Sequence, residues 1–404
     1  MRAEDSLFLS LVRCALRREA VVWTEAPTPD TWRMLYRAAW EHSLLPLISD
    51  AFGKAEGKPP QFDVYAKQLT IAQAEKTADF ILLYGYLQSR GLSPQVMKGI
   101  ILRNLYPNPE LRPSADEDLL IRPEEFPRYH QAMLDYGLEP VNSDEDIEKA
   151  HEVSYQDKKK HLYIEVHKQP FPPESGAVGD LNALFDGVHD RHMTVTIYGQ
   201  DFETLAPTDH FLYLICHAYK HFLHMGVGIR QVADMALFAN TYGEDIDWEY
   251  IYKACWSVGI DTFTAALFRI AHKYLTMNTI PDAFSQIEVD EQPLLEDILS
   301  GGLYGTSSMS RTHSSTITLG AVERSKGHKR SRLRTLFPPL SSLTRRFPYL
   351  RKFPFLIPVA WVQRIIIYLL ELKHSKTSDN NALESIRLGK ERVRLLEQYK
   401  IISK

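Results

Sequence analysis

The sequence predicts an α+β protein, in which a mixed sheet with flanking helices follows an N-terminal helical region and precedes a C-terminal helical domain. Short strand patterns alternate with helices between residues 94 and 167, which is typical of a small mixed sheet. Helical periodicity dominates residues 5–50 and 206–300. With 404 residues, 44% of them apolar and 24% charged, the chain can bury the cores of two or three packed units.

The N-terminal region, residues 1–75, is predicted to be helical. Apolar residues recur at helical spacing, as at Leu7 and Leu11 and again at Trp32 and Trp40. A long helix is predicted over residues 64–90, where Gly91 ends it.

The α/β core is predicted over residues 76–205. Proline and acids open a helix at residue 122, and Gly137 caps it. The strands are predicted at 94–97 and 116–121, in a hairpin of 153–157 and 161–167, and in a second hairpin spanning 194–205; helices are predicted at 99–106 and 122–136.

The chain after the core divides into a helical domain at residues 206–300 and a C-terminal part at 301–404. Residues 301–320 are rich in Gly, Ser and Thr and are predicted to be a flexible loop. A basic segment interrupted by prolines follows it and leads into two C-terminal helices.

Charge is distributed unevenly along the chain. The net charge is −4, but residues 324–373 carry 12 Lys or Arg and one acid, so this segment has a charge of +11 and the other residues sum to −15. Aromatic residues are interleaved with its arginines. The pattern suits a surface that binds a polyanion or an anionic membrane, and it suits equally a basic arm that packs on the protein or pairs with its own acids.

The residues that report on cellular location predict a cytoplasmic protein. Cys14, Cys216 and Cys255 are too few and too scattered for a disulfide framework or a Cys-x-x-Cys metal site. The N-terminus places acids where a signal peptide has cations, and the chain has no apolar stretch of the roughly 20 residues that a transmembrane helix needs.

The most informative acids lie on two predicted strands. Asp116 and Asp118 alternate at strand spacing, so their carboxylates emerge side by side and need a compensating cation. On strand 161–167, Glu165 lies on the face opposite to the apolar residues and can supply a third carboxylate from a neighbouring strand. Carboxylate oxygens suit Mg²⁺, and metals held by three acids promote phosphoryl or nucleotidyl transfer.

Lys98 and Gly99 stand between a strand and a helix, where backbone N–H groups can hold a triphosphate. A simple turn and a solvated acidic strand edge would give the same residues. The sequence contains no Ser/His/Asp triad, no P-loop and no Gly-x-Gly-x-x-Gly motif, which disfavours hydrolase, P-loop and Rossmann functions.

The run from Val96 to Glu125, with Val-Met-Lys-Gly, Leu-Tyr-Pro and Asp-Glu-Asp-Leu-Leu-Ile, resembles the signature of the bacterial uncharacterised nucleotidyltransferases of the polymerase-β-like superfamily. The resemblance extends to about residue 300. It implies a minimal nucleotidyltransferase sheet and transfer of a nucleoside monophosphate from an NTP, with ATP expected, to an unidentified hydroxyl on a small molecule, a sugar or a protein. It implies two Mg²⁺ ions, with Mn²⁺ as the substitute, at Asp116, Asp118 and Glu165.

Two departures from the family pattern bear on triphosphate binding and on activity. The usual Gly-Gly or Gly-Ser pair is Lys98-Gly99, and the residue between the two aspartates, usually apolar, is Glu117. Glu117 lies on the strand face opposite to Asp116 and Asp118, where it is expected either to meet solvent or to loosen the packing. Glu117 and the basic segment together motivate the alternative, which is a catalytically weak nucleotide-binding or adaptor protein that retains the fold.

Cationic and imidazole groups complete the candidate site. Arg112 is expected either to face phosphate with its planar fork or to pair with an acid such as Glu110. On one helix, three histidines at spacings of four and three suit a zinc site, an amphipathic helix with partly buried histidines, or a phosphate-facing surface. The resemblance favours the last interpretation and assigns nucleotide contacts to Lys220 and His221; the three histidines are His217, His221 and His224.

Overall fold

The computed structural model describes residues 2–21, 23, 26–53, 55, 57–141, 147–158, 161–302, 309–327, 343, 347–374 and 381–403. The chain forms two compact units. One comprises Met1–Phe222 and Gly226–Ser307, and the other comprises Leu223–Met225 and Ser308–Lys404. The predicted fold class is confirmed, since a five-stranded mixed sheet lies among many helices.

The first unit begins with four helices. The fourth starts at two prolines, which are favourable in a first helical turn, and is 30 residues long. Its buried residues include Phe80, Leu83 and Leu87, and they recur at helical spacing on the face that covers the sheet. The helices are α1 (Ala3–Arg17), α2 (Pro29–Glu41), α3 (Leu45–Phe52) and α4 (Pro60–Ser89).

The central sheet has the strand order β1-β2-β5-β4-β3. The β2–β5 pair is parallel, and the other three pairs are antiparallel. A separate antiparallel hairpin, β6–β7, follows in the chain. The strands are β1 (Gln95–Val96), β2 (Glu117–Leu120), β3 (Leu138–Pro140), β4 (Glu152–Asp157), β5 (Tyr163–His167), β6 (His192–Ile197) and β7 (Gln200–Leu205).

Two short helices accompany the sheet. The first, α5 (Ile100–Arg103), follows β1, and the second, α6 (Phe126–Tyr136), ends at Gly137 in the left-handed conformation (φ 98°), as the sequence predicts. Residues from α4, α6 and one face of β2 and β5 form a buried apolar core. The other face of β2 and β5 is thereby left for polar side chains.

Six helices complete the first unit. The stretch from residue 248 to 277 contains two helices, because the chain turns at Gly259 (φ 72°). The helices are α7 (Pro207–His224), α8 (Ile229–Tyr242), α9 (Trp248–Ser257), α10 (Asp261–Tyr274), α11 (Asp282–Ser285) and α12 (Gln292–Gly301), with the last two residues of α7 counted in the second unit.

The second unit contains a helix where a loop was predicted. Residues 303–308 lie outside the described part, but α13 (Met309–Ser325) is helical, so the loop prediction is wrong for residues 309–320. Ser314 and Thr318 are buried, and α13 packs against the last helix, where Gly389 allows close approach to Ile317. This packing overrides the weak helix propensity of Ser and Thr.

The C-terminal helices are α14 (Ile357–His374) and α15 (Asn381–Gln398). Of the basic segment, residues 328–342 and 344–346 lie outside the described residues. Within the described part of the chain, no helix has the length and apolar character needed to span a bilayer.

Candidate functional site

The parallel pairing of β2 and β5 places two acids side by side. Asp118 is the register partner of Glu165, and both side chains lie on the face opposite to the apolar core. Asp118 is buried, whereas the Glu165 side chain keeps 21% of its surface exposed. The pair therefore joins a buried carboxylate to one that a ligand can reach.

His167 completes this group two residues after Glu165 on the same strand face. Ligand atoms of Asp118, Glu165 and His167 all lie within 4.8 Å of one another, and this is the one group of three metal-type ligands in the described residues. The Nε2 atom of His167 lies 3.2 Å from Asp118 Oδ1 and 3.6 Å from Glu165 Oε2. Strand alternation places His167 on the same face as Glu165, but the sequence analysis assigned no role to it.

The charges around His167 determine its protonation in the free protein. Burial lowers the pKa of this imidazole, but the hydrogen bonds to Asp118 and Glu165 outweigh burial and raise the pKa to about 9. On the other side of the ring, Nδ1 lies 3.6 Å from Glu152 Oε2, its cross-strand partner on β4. The ring is thus held between carboxylates from three strands.

Lys98 approaches the same acids from the end of β1. Its Nζ lies 3.0 Å from Asp118 Oδ2 and 2.9 Å from His217 Nε2 on α7. Burial raises the pKa of Asp118, but Lys98 and His167 together hold it well below its usual range. Burial and the Lys98 charge lower the pKa of His217, so a neutral His217 accepts a hydrogen bond from Lys98.

Gly99 is required by Glu117. A Cβ atom at Gly99 would lie 1.8 Å from Glu117 Oε2, and the glycine adopts a φ of 53°. The same carboxylate accepts a hydrogen bond from the N–H of Ile100 at 2.9 Å. That first amide of α5 was expected to be available to phosphate, and in the structure it is bonded to Glu117 instead.

Glu117 is fully buried, which contradicts the expectation that it meets solvent or loosens packing. Its Oε1 lies 2.6 Å from the guanidinium of Arg103, which is itself buried and donates to Ser114 Oγ at 2.6 Å. A buried charge needs such a partner. The Glu117–Arg103 ion pair therefore holds the Lys98-Gly99 turn in place. The sequence analysis assigned no role to Arg103.

Asp116 immediately precedes β2 and is half-buried. Burial and the charge of Asp118 raise the pKa of its carboxyl. It lies outside the three-ligand group but lines an adjacent cavity together with Lys98, Gly99, His217 and Arg230. Asp116 thus lies between the acids of the sheet and a cavity whose lining includes the cations Lys98 and Arg230.

Arg112 lines the same cavity but uses its fork on Asp234, a residue of α8. Its Nε and one terminal nitrogen lie 2.7 and 2.6 Å from the two carboxylate oxygens, and the Tyr106 hydroxyl donates to the same carboxylate at 2.8 Å. Of the two roles expected for Arg112, pairing with an acid is the one observed, with Asp234 in place of Glu110. The pair fastens the loop before β2 to α8.

Of the histidines of α7, His217 contacts Lys98 and His221 lies against His217. His221 Nε2 lies 3.0 Å from His217 Nε2, and Lys220 is close enough that its charge contributes to the lowered pKa of His217. In the searched part of the chain these histidines belong to no group of three metal-type ligands, so the zinc interpretation has no geometric support. His221 therefore reaches the site indirectly, by its contact with His217, which in turn contacts Lys98.

Comparison with known proteins identifies the family. No curated protein and no solved structure matches the chain. A family model described as "Uncharacterised nucleotidyltransferase" matches residues 28–276, more than half of the 404 residues, and this range includes the acids of β2 and β5, the Lys98-Gly99 turn and helices α7 and α8. The chain therefore belongs to the uncharacterised nucleotidyltransferase family.

Proposed function

We propose that the protein is a metal-dependent nucleotidyltransferase that moves a nucleoside monophosphate from an NTP, with ATP expected, to a hydroxyl of a small molecule, a sugar or a protein. The observation that carries the proposal is the parallel register that places Asp118 beside Glu165, next to a cavity lined by Lys98, Asp116 and Arg230. Family membership supports the reaction class.

The donor set fits a divalent cation. Asp118, Glu165 and His167 offer two carboxylates and an imidazole within 4.8 Å of one another, and Asp116 is two residues before Asp118 in the chain. Mg²⁺ is the ion that carboxylates alone would favour, and two ions are expected. When bound, divalent ions neutralise charge on the attacking oxygen and on the leaving pyrophosphate.

The side chains around the acids suit the rest of the reaction. The acceptor hydroxyl oxygen bonds to the α-phosphorus while the bond to the β-phosphate breaks and pyrophosphate leaves. Lys98 and Arg230 line the cavity, and their assignment to the phosphates is supported by the attraction of two cations in a restricted space for a polyanion. Glu165 is assigned two roles, completing the donor set and taking the acceptor proton, and its partial exposure supports the second.

Pyrophosphate release from each of the four NTPs, measured with cell extract as the acceptor source, tests the proposal. Release should require a divalent cation and fall at least about 100-fold in Asp118→Asn, since electrostatic groups of this kind contribute on that scale. Asp79→Asn on α4 is the matched control, because Asp79 is an exposed acid outside the site. Release that survives Asp118→Asn would refute the assignment.

The alternative of an adaptor without catalysis was motivated by Glu117 and by the basic segment, and the structure gives Glu117 a partner in Arg103. Binding of a metal–NTP complex and release of pyrophosphate should be measured separately. Tight binding without release under every acceptor condition would favour the adaptor. Release that is lost in Asp118→Asn would exclude it.

A peripheral role at an anionic membrane surface is part of the proposal for residues 324–373. Exposed apolar side chains at spacings of four, three and four lie along α14 and the turn before it, within the segment whose net charge is +11. An apolar row with adjacent cations favours a lipid surface over a nucleic acid. The row consists of Phe355, Val359, Val362 and Ile366.

Flotation with phosphatidylserine vesicles tests this role. Binding should weaken steeply between about 50 and 200 mM salt and should be lost in Phe355→Ser/Val362→Ser. Val64→Ser changes an exposed valine of α4 and serves as the control. Equal binding by neutral vesicles, or salt-sensitive binding to RNA that the double variant retains, would refute it.

We place the reaction in the cytoplasm, where nucleoside triphosphates are supplied. The three free cysteines, two of them buried, are compatible with a reducing compartment.

A further inference from the structure

His167 has the surroundings of a metal ligand. The residue is 2% exposed, and its Nε2 faces the two carboxylates that the proposed function assigns to a metal. Among the described residues, Nδ1 has no hydrogen-bond partner, and it lies 3.6 Å from Glu152 Oε2. A metal-bound histidine usually turns its other ring nitrogen towards a carboxylate, which fixes the ring orientation. Here Glu152 on β4 is the carboxylate that faces Nδ1 of His167, while Asp118 on β2 and Glu165 on β5 lie beside Nε2.

The strands make this arrangement rigid. Glu152 and His167 are cross-strand partners, and Asp118 and Glu165 are register partners on the neighbouring pair. All four side chains therefore project from paired backbone positions rather than from loops. A site with this support has a defined donor set even before an ion enters.

The donor set discriminates between cations. Mg²⁺ is a hard ion that binds oxygen and keeps several waters, whereas an imidazole nitrogen adds affinity for first-row transition metals. A site made of three carboxylates would not separate these ions by ligand type. Replacing one carboxylate by a buried imidazole favours the transition metal.

We propose that His167 is a metal ligand through Nε2, that Glu152 is its positioning residue, and that the site formed with Asp118 and Glu165 prefers Mn²⁺ to Mg²⁺. The inference rests on the proposed function for the presence of a catalytic cation, and it adds which cation this chain selects. It assigns the selectivity to one residue that the Asp-x-Asp pattern does not contain.

Mn²⁺ alone, added to the full-length protein without nucleotide, is the probe. Electron spin echo measurements of the bound ion should show modulation from an imidazole nitrogen in the wild-type protein. This readout needs no variant, so it does not depend on whether a substitution folds. A bound Mn²⁺ without nitrogen modulation would overturn the proposal.

Titration calorimetry with Mn²⁺ and Mg²⁺ measures the selectivity. His167→Asn should weaken Mn²⁺ binding at least about 10-fold and leave Mg²⁺ binding within about threefold, and Glu152→Gln should weaken Mn²⁺ binding by about 10-fold. His161→Asn, a half-exposed histidine ahead of β5, is the matched control. An unchanged ratio of the two affinities in a folded His167→Asn variant would overturn the proposal.

The outcome is separable from that of the proposed function. Pyrophosphate release with Mg²⁺ equal to that with Mn²⁺, and no nitrogen modulation, would remove the selectivity and leave the transferase. Nitrogen modulation and selective Mn²⁺ binding, with no release from any NTP, would establish the metal site and remove the transferase.

Discussion

Replacing Gly99 by alanine tests the central feature of the site, which is the packing of the Lys98-Gly99 turn on Glu117. The new Cβ would lie 1.8 Å from Glu117 Oε2, so the carboxylate must move. Movement breaks its hydrogen bond to Ile100 and weakens its ion pair with Arg103. An unsatisfied buried group costs about 1 to 3 kcal/mol, and loss of one partner of a buried ion pair costs about 3 to 5 kcal/mol.

Gly53 provides a matched control for the backbone contribution. Its φ and ψ of 51° and −127° are close to the 53° and −118° of Gly99, and no described residue lies within 4 Å of an added Cβ. Alanine at either position carries the same conformational strain, about 1 to 3 kcal/mol. The difference between the two variants therefore isolates the contact with Glu117, and we expect Gly99→Ala to lose at least about 3 kcal/mol more.

Chemical denaturation of both variants, followed on the transition of the unit that contains the sheet, gives the two losses. Equal destabilisation by Gly53→Ala and Gly99→Ala would refute the reasoning, because it would mean that Glu117 does not occupy the space beside Gly99. Pyrophosphate release supplies a second reading. Gly99→Ala should reduce release more than its unfolded fraction explains, since the turn also carries Lys98.

Three further predictions follow from buried polar groups. In a double-mutant cycle, Glu117→Leu and Arg103→Met should each destabilise the protein by about 3 to 5 kcal/mol. The double variant should lose much less stability, because it leaves no unpaired charge. Additive losses measured by denaturation would contradict the ion pair. Asp234→Asn should lower stability by about 2 to 4 kcal/mol, since it leaves Arg112 without its carboxylate, and a melting temperature equal to that of the wild type would argue against this pair. Burial lowers the pKa of His210 to about 4, so between pH 6.5 and pH 4 the unfolded chain binds a proton that the folded chain does not. The free energy of unfolding should therefore fall by up to about 3 kcal/mol as pH decreases through that window. A His210→Phe variant with the same pH dependence would show that His210 is not its cause.

The sequence could predict the α+β fold class because local patterns encode it. Strand alternation and helix caps, such as Gly137 at the end of α6, require no knowledge of distant residues. The loop predicted at residues 301–320 shows the limit of this approach. Ser and Thr in α13 are held in a helix by packing on α15, and composition does not report such packing.

The candidate site likewise has features that the sequence determines and features that only the tertiary structure determines. The sequence by itself determined that Asp118 and Glu165 project from strands on the polar side, because alternation is a property of the chain. The tertiary structure alone decided that β2 and β5 are parallel neighbours in the register that pairs these two acids, since register depends on how distant segments pack. It also decided the partners of the charged residues: Glu117 with Arg103, Arg112 with Asp234, and His167 among three carboxylates. A buried charge requires a nearby opposite charge, and the fold, rather than the spacing in the chain, supplies it.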